Sequence, residues 1–457
     1  MGKIKPNFII ALLITITFSG LIYISVWRNA PVYANDSISY FEVMEDLKDG
    51  SLDNLHDRTP GYPLLLLITN SRIGKTNRTL FIAQIVGYLT SVFLLSILLN
   101  HLGVRNGAIW IFVILSLIPS GIVVTTFILS ESLTLSLLVT GVVSLLFWFL
   151  LELKRARFLL IIISGFAFGI SALVRPTYQL IFFVVSSILI VFYLIDRKNR
   201  DFLFAAVTIF SMSLVIIGAF YVNNYLRHGF FGITPLLGFN LSTRTINVIE
   251  ELPDEFSNVR EILLKYRDED LVKNQSSHKG YMYIWSALTD LQKLTNLEKP
   301  ELSFFMLKLN LLLIKQSPLE YLAEVSRSIA TYWFPFSPQM SNFNSRNLQL
   351  IWSVIHFAVV AALILVLTLL FSIFIIIQNL PVKLRKRLQP EIEQPEIVIL
   401  AFLIPLTIVL YTMFISSMVD VGNPRHRTPS DLFVFFIIIL GFQLLYKFRS
   451  QISAIGD

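Results

Sequence analysis

NGAIWIFVILSLIPSGIVVTTFILSESLTLSLLVTGVVSLLFWFLL, residues 106–151, holds a single charged residue, Glu131. FLLIIISGFAFGISALVRPTYQLIFFVVSSILIVFYLI, residues 158–195, also holds one, Arg175, followed at once by Pro176. A helix needs ~20 apolar residues to cross the hydrocarbon of a bilayer. Each stretch is therefore long enough for two crossings, and its middle is where the chain must turn back. In both stretches the charge sits close to that turn, which predicts Glu131 and Arg175 at one membrane surface. The alternative is that both are ordinary helix-end residues reaching for lipid headgroups.

Working outward, further apolar runs lie near 8–27, 79–99, 202–222, 350–378, 397–417 and 432–446, and the two stretches supply 106–124, 127–151, 158–174 and 177–195. The reading is an all-α polytopic membrane protein, a bundle of about ten transmembrane helices. Composition agrees, with 55% hydrophobic residues, 15% charged residues and a mean hydropathy of +0.69. The formal charge of +7 does not point to nucleic acid, because the basic residues fall between apolar runs and form no tract with interleaved aromatics. The absence of cysteine excludes disulfides, cysteine-bearing zinc sites and thiolate nucleophiles. No His/Asp cluster has metal-ligand spacing, so neither a metal nor any other cofactor is expected.

Orientation follows from the short loops. Lys3 and Lys5, Arg105, Lys154 to Arg157, Arg197 with Lys198, Lys383 to Arg387, and Lys447 with Arg449 fall on one side. The positive-inside rule makes that side cytoplasmic. Val32-Tyr33-Ala34 loosely resembles a signal-peptidase site, but the preceding apolar run is longer than a usual signal core, so a retained anchor is expected. The stretch from Asn347 to Val382 reads as one long helix, or one helix plus an interfacial segment. Three parts result: residues 1–222, a transmembrane module whose first outer loop spans 28–78; residues 223–346, an extracytoplasmic helical region; and residues 347–457, the last helices with an arginine-rich outer loop. In the middle part, Asp254 to Val272, Glu301 to Lys315 and the run opened by Pro318 read as helices capping a lipid-facing cleft.

Candidate chemistry gathers on the outer side. Asp36 follows the first span by a few residues, where a carboxylate suits a general base; it suits equally the N-cap of a helix over Ser37 to Lys48. Arg58-Thr59-Pro60-Gly61-Tyr62-Pro63 is a rigid turn before Leu64 to Ile68, a run too short to span. Arg58 either grips a phosphate through its planar fork of donors or pairs with a nearby acid. In the last outer loop, Arg425 and Arg427 lie on the side that basic residues avoid, and so read as an anion site or as contacts to anionic headgroups. Tyr40, Tyr62 and His426 are candidate substrate contacts, His426 alternatively capping a turn.

This ordered set resembles the GT-C superfold of membrane glycosyltransferases, in the branch with the protein O-mannosyltransferases and the aminoarabinose transferase of lipid A. The resemblance rests on Asp36 with Tyr40, the Arg58 to Leu66 turn, Leu129-Ser130-Glu131-Ser132-Leu133, Gly165 to Thr177, Asn224-Tyr225-Leu226 with Gly229, Ser317 to Leu322 and Arg425 to Pro429. It implies an inverting transfer of one sugar from a polyprenyl-phosphate donor to a glycan, lipid or protein acceptor. The site would face outward, in a bacterial cytoplasmic membrane. It implies Asp36 as base, Arg58, Arg175, Arg425 and Arg427 on the donor phosphate, and Glu131 orienting the acceptor or an arginine. Many relatives pair two acids in the first loop; here Ser37 follows Asp36, so a second acidic role falls to Glu131. Two other readings use the same features: a lipid-linked sugar flippase or transporter, and an O-antigen polymerase or ligase. Against the first stand the absence of an inverted repeat and charges at one surface, not the midplane.

Overall fold

In the computed structural model the described residues are 6–34, 36–51, 58–117, 122–273, 282–335, 346–379 and 394–456. Asn35, Asp57, Lys3 with Lys5 and the Lys383 to Arg387 cluster lie outside them. Among the described residues the chain is helical throughout, with one isolated bridge, Val32 to Phe127, in place of any strand. Nine helices among the described residues are long and apolar enough to cross a membrane. The protein is an all-α polytopic membrane protein.

The elements in chain order are α1 (Pro6–Val26), α2 (Ser37–Lys48), α3 (Gly61–Ile68), α4 (Arg78–His101), α5 (Asn106–Leu117) and α6 (Glu131–Leu150). There follow α7 (Lys154–Val174), α8 (Ile181–Ile195), α9 (Arg200–His228), α10 (Leu237–Ser242), α11 (Ser257–Lys273) and α12 (Tyr283–Thr295). The last are α13 (Lys299–Gln316), α14 (Pro318–Tyr332), α15 (Arg346–Asn379), α16 (Pro395–Val419) and α17 (Asp431–Gly456). Arg346 to Asn379 is one helix, which decides between the two readings of that stretch.

The span expected over 106–124 falls partly on residues 118–121, which lie outside the described residues; on either side of them stand α5, Asn106–Leu117, and a 3-10 turn, Val123–Thr126.

In lipid, helices associate through close packing and small residues, because lipid tails are as apolar as leucine. Gly165 and Gly169, four apart on α7, let it lie against α9: a Cβ at Gly169 would come 2.8 Å from Ile216 Cδ1 and 3.1 Å from Ser213 Cα. Ser213 Oγ donates to the Gly165 carbonyl at 2.9 Å, and Ser164 Oγ to the Gly141 carbonyl of α6 at 2.8 Å, so hydroxyls tie three helices in turn.

The two ends of the bundle differ in the charged residues they carry. Arg105 lies 3.8 Å over the Tyr446 ring, Arg157 pairs with Asp201, and Lys447 lies beside Gly103; with Arg197 and Lys198, these basic loops mark one end. At the other end lie α2, α3, the 3-10 turn Pro424–Ser430 and the helices α10 to α14. The latter build a small core of their own around Phe239, Ile284, Leu291, Leu302 and Met306. It is fastened to the bundle where Tyr321 donates to the Met418 carbonyl at 3.0 Å.

Candidate functional site

Asp36 stands at the N-cap position of α2, yet its side chain makes no capping hydrogen bond. Ser37 takes the local work, accepting from the Ala34 amide and donating to the Ile128 carbonyl, each within 2.9 Å. The Asp36 carboxylate is left to long-range partners. Arg58 Nη2 donates to Oδ1 at 2.7 Å and Arg425 Nη2 to Oδ2 at 2.6 Å.

Three local features bring these groups together. Val32 exchanges backbone hydrogen bonds with Thr126 and Ile128, pinning the first loop beside the start of α6. Gly61 brings the Arg58 turn onto the end of α7, where a Cβ would come 2.7 Å from the Leu173 carbonyl oxygen. Asn423 Oδ1 accepts from the Arg425 amide at 2.9 Å and so opens the turn that presents Arg425.

A second carboxylate lies behind the arginines. Glu131 is fully buried at the start of α6, and its Oε1 is 2.8 Å from Arg175 Nη1 and 2.7 Å from Arg425 Nε. These contacts are ion pairs by charge and proximity, not aligned hydrogen bonds. Arg425 thus bridges two carboxylates from distant parts of the chain. Isolated charges are costly away from water, so such a set persists only when mutually compensated, and compensated clusters of this kind gather at functional sites.

The arginines open onto a cavity of about 420 Å³. Asp36, Tyr40, Arg58, Arg175, Arg425 and His426 line it, so six of the sequence candidates meet in one place. Arg58 lies 5.2 Å over the Tyr40 ring, and its Nε donates to Ser39 Oγ at 2.9 Å. Tyr40 in turn donates to Ser130 Oγ at 3.2 Å. His426 Nδ1 is 3.7 Å from the Asp420 carboxylate on the same wall.

Three candidates take other parts. Arg427 does not line the cavity; only 1% exposed, it donates to the Tyr332 and Phe334 carbonyls at 2.6 and 2.9 Å and pairs with Asp431 at 2.8 Å. It anchors the end of α14, which corrects its grouping with the phosphate-binding arginines. Tyr62 is buried edge-on against Tyr40 and donates to Gln84 Oε1 at 3.0 Å, so it supports the wall and does not contact the cavity. Glu131 likewise stands behind the lining and acts on it through Arg175 and Arg425.

Burial pushes the Asp36 carboxyl up, but the Arg425 and Arg58 charges outweigh it and hold the group well below the usual carboxylate range. Burial raises the Tyr40 phenol, which stays a neutral hydrogen-bond donor. The cavity therefore presents an ionised carboxylate among three guanidiniums, an arrangement able to receive an anionic group and a proton side by side. Among the described residues no group of three or more His, Asp or Glu stands close enough to hold a metal ion.

Sequence reading assigned residues 223–346 to a cap over the cleft but singled out none of Thr234, Leu236, Asn240, Met282 and Trp285, which line the cavity. No family model, no curated protein and no solved structure matches this chain.

Proposed function

We propose that the protein is a membrane glycosyltransferase of GT-C type. It takes one sugar from a polyprenyl-phosphate donor and passes it to an acceptor hydroxyl at the non-cytoplasmic face. The observation that carries this reading is the Asp36 carboxylate, held between Arg58 and Arg425 on the wall of a cavity at one end of the bundle. The basic loops at the opposite end support the orientation, since such loops stay cytoplasmic.

In this reading the acceptor oxygen attacks the anomeric carbon on the face opposite the phosphate, and its proton passes to Asp36. The bond from the anomeric carbon to the phosphate oxygen breaks, and the polyprenyl phosphate leaves with the electron pair. Charge on the departing oxygen is stabilised by guanidiniums already in place, which act strongly in a site with little water. Arg175 and Arg425 are held for that role by Glu131.

A carboxylate clamped by two arginines is a weak base, because a good general base titrates near the working pH. Donor phosphate competes for the same two guanidiniums. As they turn toward it, the charges that depress Asp36 are drawn off and its basicity rises. Donor binding and base activation are then one event, and the donor binds first.

The test is transfer of radiolabelled sugar from a panel of polyprenyl-phosphate monosaccharides by purified protein in liposomes. Transfer or donor hydrolysis that disappears in a folded Asp36→Asn variant is the expected result. No turnover with any donor, together with protein-dependent movement of lipid-linked sugar across the bilayer, would overturn the reading in favour of a flippase.

A further inference from the structure

A second cavity, of about 580 Å³, adjoins the first and shares a wall with it made by Arg58, Leu236 and Trp285. Arg58 belongs to both in its bonding: Nη2 holds Asp36 in the first cavity and Nε holds Ser39, which lines the second. Trp285 is half-buried, steadied by Phe239 with ring centroids 5.5 Å apart. The two spaces differ in charge. The first is lined by Arg58, Arg175 and Arg425, whereas the second carries Glu42, Glu45 and Asp46 facing Lys299.

A transfer between two substrates needs two spaces that meet near the base, and this pair meets at Arg58, the residue that holds Asp36. The arginines draw the anionic donor to the first space. The carboxylates of the second repel anions and accept hydrogen bonds from hydroxyls or ammonium groups. An aromatic wall beside polar groups is how binding sites commonly hold a ring with one apolar face. Building on the transferase reading, we propose that the second cavity binds the acceptor. Its occupant is a polyhydroxylated ring, neutral or cationic near the reacting hydroxyl, and it packs against Trp285.

The probes are benzyl β-glucoside, benzyl β-glucosaminide and benzyl β-glucuronide, offered to the liposome-embedded protein with whichever labelled donor the wild type hydrolyses. The neutral and amino glycosides are expected to be used at least about tenfold better than the glucuronide, a difference of ~1.4 kcal/mol. Trp285→Ala should raise the acceptor KM about tenfold, a larger factor than its effect on the donor KM, and Trp285→Phe should recover most of the loss. The combined Glu42→Gln, Glu45→Gln, Asp46→Asn variant should narrow the gap to the glucuronide. The proposal is overturned if wild type uses the glucuronide as well as the glucoside, or if no glycoside alters donor hydrolysis. It is equally overturned if Trp285→Ala and Trp285→Phe leave the acceptor KM unchanged. A wild type that hydrolyses no donor would sink the transferase reading itself, an outcome distinct from these.

Discussion

Arg425 and Asp36 lie 389 positions apart in the chain and meet at 2.6 Å, while the same guanidinium reaches Glu131 Oε1 at 2.7 Å through its Nε. One side chain from the 3-10 turn before α17 thus ties the first loop to the start of α6. It also faces the cavity, so it serves position and chemistry together.

Arg425→Ala should lower turnover by about 10²–10³, the usual loss when a preorganised donor to a developing oxyanion is removed. Arg425→Lys should recover little, because an ammonium cannot direct separate donors at two carboxylates as a planar guanidinium does. Single-turnover assays in liposomes, with circular dichroism to confirm folding, check both variants. Wild-type turnover in Arg425→Lys would show that charge alone suffices.

Arg427→Ala should act differently although it lies two positions away. It strips a buried guanidinium from two carbonyls and Asp431, so stability should fall by about 3–5 kcal/mol. Donor KM of the surviving folded fraction should stay within a few-fold of wild type. Thermal unfolding in detergent, read beside the donor KM, separates these outcomes.

The pH dependence follows from Asp36. Its folded pKa is depressed, so its contribution to stability is fully present above the unfolded value of about 3.9 and is lost as pH falls through the lower folded value. Asp36→Asn should therefore be less stable than wild type near neutrality, with the difference shrinking below about pH 4. For the same reason kcat/KM, which reports the free enzyme, should show no acid limb from Asp36 between about pH 5 and 7. Chemical denaturation and initial rates across that range test both statements.

Orientation can be read directly, because the chain has no cysteine and an introduced one reports alone. Lys48→Cys and Lys293→Cys, exposed at the site end, should react with an impermeant maleimide in intact cells. Lys154→Cys and Lys198→Cys, exposed at the other end, should react only after permeabilisation. The opposite pattern would place the site in the cytoplasm.

Gly422 has φ of 61°, and a Cβ there would lie 2.3 Å from the Ser328 carbonyl oxygen. Gly422→Ala should cost about 1–3 kcal/mol in backbone strain alone, more with the clash. It should also shift Asn423 and Arg425, raising the donor KM, as a titration of initial rate against donor would show.

Much of this was legible in the residue order. Bilayer thickness fixes span length, so the runs around Glu131 and Arg175 located the helices and placed both charges near a turn. The same counting gave a span over 106–124, part of which lies outside the described residues. Asp36, Arg58, Arg175 and Arg425 were recognisable as candidates because charges are scarce beside apolar runs and each needs a reason to be there.

Sequence order could not say which of them touch. Asp36 could have capped α2, and the choice against it depends on Ser37 and two distant arginines. Arg425 and Arg427 are alike in sequence; a turn of 3-10 helix aims one at the cavity and the other at the end of α14. Glu131 stood out as a lone acid, but only its complete burial behind Arg175 and Arg425 makes it their support. Trp285 and the second cavity had no linear signature, since a cavity wall is assembled from elements that meet only on folding. The sequence by itself determined the solvent, the helix class and the inventory of charges, all of which follow from local composition and length. Pairing, burial and access were left to the tertiary structure, because they depend on distances between residues hundreds of positions apart.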